Sequence, residues 1–173
     1  CALPIFCACN SVEWVLTWFA AAHLGAAVVP LNTRWKDDEF AWALDYADVG
    51  FLVVAARLLK IDFMATFGRL RPKLPKLRAI VSIGDAHADW AVPFESLAGA
   101  SPPSLARADS ITLIQFTSGS TARPKGVMLT QAGMLTNARG SAGALGLRKG
   151  DRYLCPRPFF HRSEEHTSEL QSR

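Results

Sequence analysis

Apolar residues fall along this chain in two kinds of run, some with helical spacing and others short and unbroken. Residues 14–24 are almost wholly apolar and stop at Gly25, a residue that ends helices because it accepts a positive φ. Asn10 is placed to cap that helix, with Glu13 reaching back to it. The run falls short of the roughly 20 residues needed to cross a bilayer, so a core helix is expected and no integral membrane segment. Residues 26–31 then read as a buried strand, and Asn32, Thr33 and Arg34 as the turn out of it. A second helix is predicted over Asp37–Tyr46. Three acidic residues suit its positive end, and Phe40, Ala43, Leu44 and Ala47 recur on one face.

The alternation continues. Residues 50–54 predict a strand, 58–70 a helix with Phe63, Phe67 and Leu70 on one side, and 77–83 another strand. Residues 84–107 carry several prolines and little periodicity, which predicts a long surface connection. Asp85, His87 and Asp89 alternate there, but a polar loop gives them no scaffold for a metal. An apolar strand follows at 111–116, then a Gly- and Ser-rich turn, then Val127, Met128 and Leu129. Thr130 is placed to cap a helix over 131–145, and 152–155 predict a last strand. Helices alternating with short buried strands define an α/β class, with an incomplete sheet flanked by helices.

Composition narrows the function classes. The chain has 173 residues, 50% hydrophobic, 20% charged, with a net charge of +4. The excess is scattered and no basic stripe carries interleaved aromatics, so nucleic acid is not the expected partner. The cysteines are Cys1, Cys7, Cys9 and Cys155. Cys7 and Cys9 lack the spacing of a redox or zinc pair, and a reducing, cytoplasmic setting is expected.

The chemistry concentrates in residues 117–126, TSGSTARPKG. Backbone N–H groups in a Gly-rich turn converge on an anion without side-chain obstruction. Thr117, Ser118, Ser120 and Thr121 add short hydroxyl donors, and Lys125 adds a mobile cation behind Pro124. The familiar P-loop places its lysine before Ser or Thr at a helix start. Here Lys125 stands between Pro124 and Gly126 and an apolar run follows, which predicts a loop joining two extended segments.

From Phe116 to Gly126 the string resembles the phosphate-binding signature of adenylate-forming enzymes, departing at Ala122, where that family usually has glycine. Residues 13–34 resemble the opening helix–strand unit of acyl-CoA synthetases. Pro158, Phe159, Phe160 and His161 resemble the family's segment beside the acyl and adenylate pocket. The resemblance implies the partial N-terminal large domain of the adenylate-forming fold over residues 6–161. It further implies phosphate contacts from Thr117, Ser118, Gly119, Ser120, Thr121, Lys125 and Gly126, with His161 at the substrate pocket. Lys125 would offset charge as pyrophosphate leaves, or hold the loop by a local ion pair. ATP, Mg2+ and coenzyme A are the implied cofactors, and a small-molecule carboxylic acid, of fatty or other apolar type, the implied partner. The implied reaction is ATP-dependent formation of acyl-AMP and then acyl-CoA by the intact product, the present chain being inactive by itself. The alternatives are an adenylation domain that loads a carrier protein, a luciferase-like relative, and a catalytically silent nucleotide-binding protein.

Both ends stand apart from that pattern. Residues 162–173, RSEEHTSELQSR, and residues 1–5 resemble translated sequencing adapters. The tail holds two arginines and three glutamates, so the remainder carries +5.

Overall fold

The computed structural model describes residues 3–85, 88–97, 99, 101–117, 124–154 and 158–160. Five parallel strands form the main sheet: β1 (Leu3–Cys7), β2 (Val29–Pro30), β3 (Val49–Ala55), β6 (Ala79–Ile83) and β7 (Val92–Pro93), in the order β2-β1-β3-β6-β7. A small hairpin, β4 (Arg57–Leu58) and β5 (Ile61–Asp62), and a larger one, β8 (Ile111–Thr117) and β9 (Lys125–Thr130), complete the strands. The helices are α1 (Val12–His23), α2 (Asp37–Tyr46), α3 (Phe63–Leu70) and α4 (Gln131–Ala144). The α/β class with a helix-flanked sheet, expected from the sequence, is the fold observed.

Side-chain alternation along each strand sends successive residues to opposite faces. Ile5, Cys7, Leu52, Val54 and Ile80 join one cluster with Phe40, Ala43 and Leu44 of α2 and Phe63 and Phe67 of α3. Phe6, Val53, Ala55 and Val81 join the other with Trp14 and Ala21 of α1. The sheet is thus covered on both faces, which is why its strands read as unbroken apolar runs. β1 is an interior strand, paired with β2 and β3, and its fully buried Ile5 belongs to the first cluster.

Several expectations need correction. Ser11, not Asn10, caps α1, its Oγ accepting from Trp14 N at 3.2 Å. Hydrogen bonds from its own backbone and from Ser11 hold the Glu13 carboxyl below the usual carboxylate range. The helix predicted from residue 58 starts at Phe63 instead. Residues 57–62 make a tight hairpin with Leu59 at φ 55°, and Asp62 then caps α3 by accepting from Ala65 N at 2.9 Å. The long connection contains an edge strand, β7, which pairs with β6 because Val92 and Pro93 need donate little to the ladder at an edge. The strand predicted at 152–155 does not form over Arg152, Tyr153 and Leu154, which are exposed and irregular, and Cys155 lies outside the described residues.

Residues 101–107 are fastened to the end of α1. Leu105 N and Ser104 Oγ donate to His23 O at 2.9 and 3.2 Å, and His23 Nε2 lies 2.9 Å from Pro102 O. His23 is therefore a bonded helix-face residue. Gly25 makes this junction possible, with φ +66° and room for the loop; a Cβ there would sit 2.9 Å from Leu105 O. Gly25→Ala is expected to cost about 1–3 kcal/mol, from the left-handed backbone plus the clash. An unchanged urea midpoint would show that the junction tolerates a methyl group.

Candidate active site

β8 and β9 pair antiparallel, with Thr117 opposite Lys125 and Phe116 opposite Gly126. The described residues on either side of 118–123 are therefore extended, as the sequence predicts, and stand side by side. Thr117 Oγ1 donates to Lys125 O at 3.4 Å across the mouth of the hairpin. At Gly126 a Cβ would lie 3.1 Å from Ile114 Cγ2 and 3.8 Å from the Phe116 ring, so glycine lets those side chains lie over the strand. Lys125 is exposed and makes no ion pair among the described residues, which leaves its three N–H donors available.

Three sets of contacts fix β8. Val28 N donates to Thr112 O at 3.0 Å and Ile114 N to Val28 O at 2.9 Å, so β8 runs parallel to the strand beside it. The Phe116 ring sits within 5.7 Å of Trp35, 5.5 Å of Trp42 and 6.3 Å of Tyr46, a cage contributed by α2 and the turn before it. Aromatic pairs at these spacings are each worth about 0.5–1.5 kcal/mol beyond area burial. Finally, buried Gln115 donates through Nε2 to Phe160 O at 3.4 Å. The sequence offered no period that would bring Trp35 and Trp42 to Phe116.

Because β8 is parallel to its neighbour, the end that carries Thr117 shares the carboxyl edge of the sheet with the end of β1. The chain leaves β1 first to β2 on one side and later to β3 on the other. Such a reversal opens a crevice at the carboxyl edge, where open α/β sheets bind ligands. Phe159 returns to this edge. Its N–H donates to Asn10 Oδ1 at 2.7 Å, and its ring stands 5.0 Å from Trp14.

Thr117, Lys125 and Gly126 are thus together at the base of the hairpin. Ser118, Gly119, Ser120 and Thr121 lie outside the described residues, as do Ala122, His87 and His161. Among the described residues no three His, Cys, Asp or Glu side chains converge on a point. The acidic trio of α2 is a helix start: Glu39 Oε2 accepts from Lys36 N at 2.8 Å, and Asp37 pairs with Arg69 at 2.9 Å. Cys7 is buried, which pushes its thiol well above the ordinary range, while Cys9 is exposed. Native-state alkylation with iodoacetamide is accordingly expected to mark Cys9 and spare Cys7. Equal labelling by mass spectrometry would contradict the burial of β1.

A hairpin that flanks a Gly- and Ser-rich segment at the carboxyl edge of a parallel α/β sheet lies where such folds bind ligands. The family model for AMP-binding enzymes matches residues 5–170, and the chain belongs to that family. Acyl-adenylate- and acyl-CoA-forming activity is found in this family, for which ATP, Mg2+ and coenzyme A are typical. The chain is 38% identical over 159 residues to a 7a-methyl-1,5-dioxo-octahydro-1H-inden-4-yl propanoyl:CoA ligase of Mycobacterium tuberculosis, covering 88% of this chain and 31% of that one. It is 33% identical over 160 residues to the crotonobetaine/carnitine–CoA ligase of Salmonella paratyphi A, covering 88% of this chain and 30% of the relative. The long-chain-fatty-acid-CoA ligase structure from Archaeoglobus fulgidus superposes with a TM-score of 0.78 at 26% identity, covering 92% of this chain and 31% of that one. The chain therefore spans about a third of the length of the relatives it matches. Among the described residues no helix is long and apolar enough to cross a membrane.

Proposed function

We propose that this chain is the N-terminal part of the large domain of an acid–thiol ligase that activates an apolar carboxylic acid, of the fatty-acid type, with ATP. The observation that carries the reading is the hairpin base, where Thr117, exposed Lys125 and Gly126 flank a Gly- and Ser-rich turn at the carboxyl edge. Three named relatives are CoA ligases, which favours coenzyme A as the acceptor.

The chemistry follows from the weakness of a carboxylate as an electrophile. Its oxygen attacks the α-phosphorus of ATP, the bond to the bridging oxygen breaks, and pyrophosphate departs with the electron pair. A thiol then adds to the acyl carbon and expels AMP. In this chain the turn residues Ser118, Gly119, Ser120 and Thr121 would hold the β- and γ-phosphates together with Thr117 and Gly126. Lys125 would stabilise the negative charge that builds on pyrophosphate, a positioning and electrostatic contribution. Magnesium, when bound, would neutralise phosphate charge. His161 would stand at the edge of the acid pocket, as the resemblance implies.

Support for a larger whole comes from the surface of α1. Val12 is 70% exposed and Phe19 69%, and a groove of about 790 Å³ runs between α1 and the sheet, lined by Leu16, Ala20, Phe51 and Leu97. An apolar groove beside exposed apolar side chains suits contact with further chain. The test is acyl-CoA formation by the full-length gene product, given ATP, magnesium, coenzyme A and a panel of fatty, aromatic and short polar acids. The reading expects acyl-CoA from the apolar acids. Acyl transfer to a carrier protein without acyl-CoA would replace coenzyme A by that acceptor, and product from the polar acids alone would overturn the substrate class.

A further inference from the structure

We propose that Asn10 is a positioning residue for the acid-activating site, a role that rests on the functional reading above. Asn10 is not the helix cap, because Ser11 performs that function. Its side-chain carbonyl instead accepts from Phe159 N at 2.7 Å, a contact 149 residues away in sequence. An amide N–H can meet only the oxygen of a carboxamide, so the orientation of Asn10 follows from the bond itself. One residue on, Phe160 O accepts from Gln115 Nε2 at 3.4 Å. The Phe159 ring is seated 5.0 Å from Trp14, whose own ring lies 5.4 Å from Phe6 of β1.

Phe159 and Phe160 are thereby strapped across the carboxyl edge from the end of β1 to β8. Gln115 lies two residues before Thr117 on the strand that leads into the phosphate turn. Asn10 and Gln115 therefore place one backbone segment, and that segment ties the loop after β1 to the hairpin bearing Lys125. In the proposed reaction the acid and the phosphates must meet at a fixed separation, and misplacement of about 1 Å is enough to cost about a hundredfold in rate. Holding residues 159 and 160 to the loop after β1 and to β8 at once sets that separation. Asn10 touches no reacting atom; it acts through the backbone of Phe159.

Two variants separate anchoring from bulk. Asn10→Leu keeps the volume and removes the acceptor, whereas Asn10→Asp keeps an acceptor oxygen. In the 173-residue chain, Asn10→Leu should speed amide hydrogen exchange at Phe159 by about tenfold, the scale of one hydrogen bond, while the amides of Leu52, Val53 and Val54 stay protected. Asn10→Asp should restore protection. In the full-length product, Asn10→Leu should lower kcat/KM for the acid by about tenfold in ATP–pyrophosphate exchange, with KM for ATP within about twofold, and Asn10→Asp should recover most of it. Unchanged exchange at Phe159 overturns the anchor. Equal losses for acid and ATP, or an Asp variant no better than Leu, overturn the positioning role. A wild-type product without acid-dependent exchange overturns the functional reading and the catalytic role with it, while protection at Phe159 still decides the anchor.

Discussion

Replacing Lys125 by alanine is expected to slow acid-dependent ATP–pyrophosphate exchange in the full-length product by about a hundredfold, the scale for removing one preorganised donor from a developing charge. The side chain is exposed at the base of the hairpin and makes no ion pair among the described residues, so its loss should leave the fold intact. Affinity for the acid should change little, since the cation serves phosphate oxygens and not the acyl chain. Lys125→Arg should fall between the two, because guanidinium keeps the charge but not the compact ammonium geometry. Exchange kinetics of Lys125→Ala equal to wild type at subsaturating ATP would remove Lys125 from the mechanism. A loss confined to KM for the acid would move it to the other side of the site.

Phe67→Ala carries the largest expected effect on stability. Phe67 is fully buried in the cluster beneath α2 and α3, 5.2 Å from the Phe40 ring and 6.2 Å from Phe63. Truncation removes the ring's transfer free energy and leaves a cavity that Phe40 and Phe63, held by the sheet behind them, can fill only in part. The expected cost is about 3–5 kcal/mol. A single domain has only about 5–15 kcal/mol in all, so the variant should unfold at much lower urea, with an unchanged slope if the denatured state is the same. Phe67→Leu should cost much less. A midpoint within about 1 kcal/mol of wild type would mean that α3 is not packed on the sheet as described.

What the sequence disclosed and what it hid follow one physical line. α2 was legible to its bounds, Asp37–Tyr46, because its acidic start and its apolar face at helical spacing agree. The hairpin around the phosphate turn was legible because Lys125 between Pro124 and Gly126 cannot open a helix in the P-loop manner. Thr130 caps α4 as its position predicts, accepting from Gly133 N at 3.1 Å. Local rules failed where two caps competed, as at Asn10 and Ser11, and where a two-residue strand gains its identity only from its neighbour, as in β7 and in the hairpin of residues 57–62. Asp62 was the available signal for the true start of α3, since it precedes the apolar face and can cap it. The Phe116 cage and the bond from Phe159 to Asn10 are contacts between distant segments, and no periodicity encodes them.

The central claim is that the turn between β8 and β9 serves an adenylation step. Exchange of labelled pyrophosphate into ATP by the purified full-length product tests it most directly, with magnesium present and coenzyme A left out. The account predicts label in ATP only when an apolar acid is added, because only formation and reversal of an acyl adenylate returns pyrophosphate to the nucleotide. ATP binding without acid-dependent exchange, for any acid in the panel, would contradict it and leave a silent nucleotide-binding protein in its place.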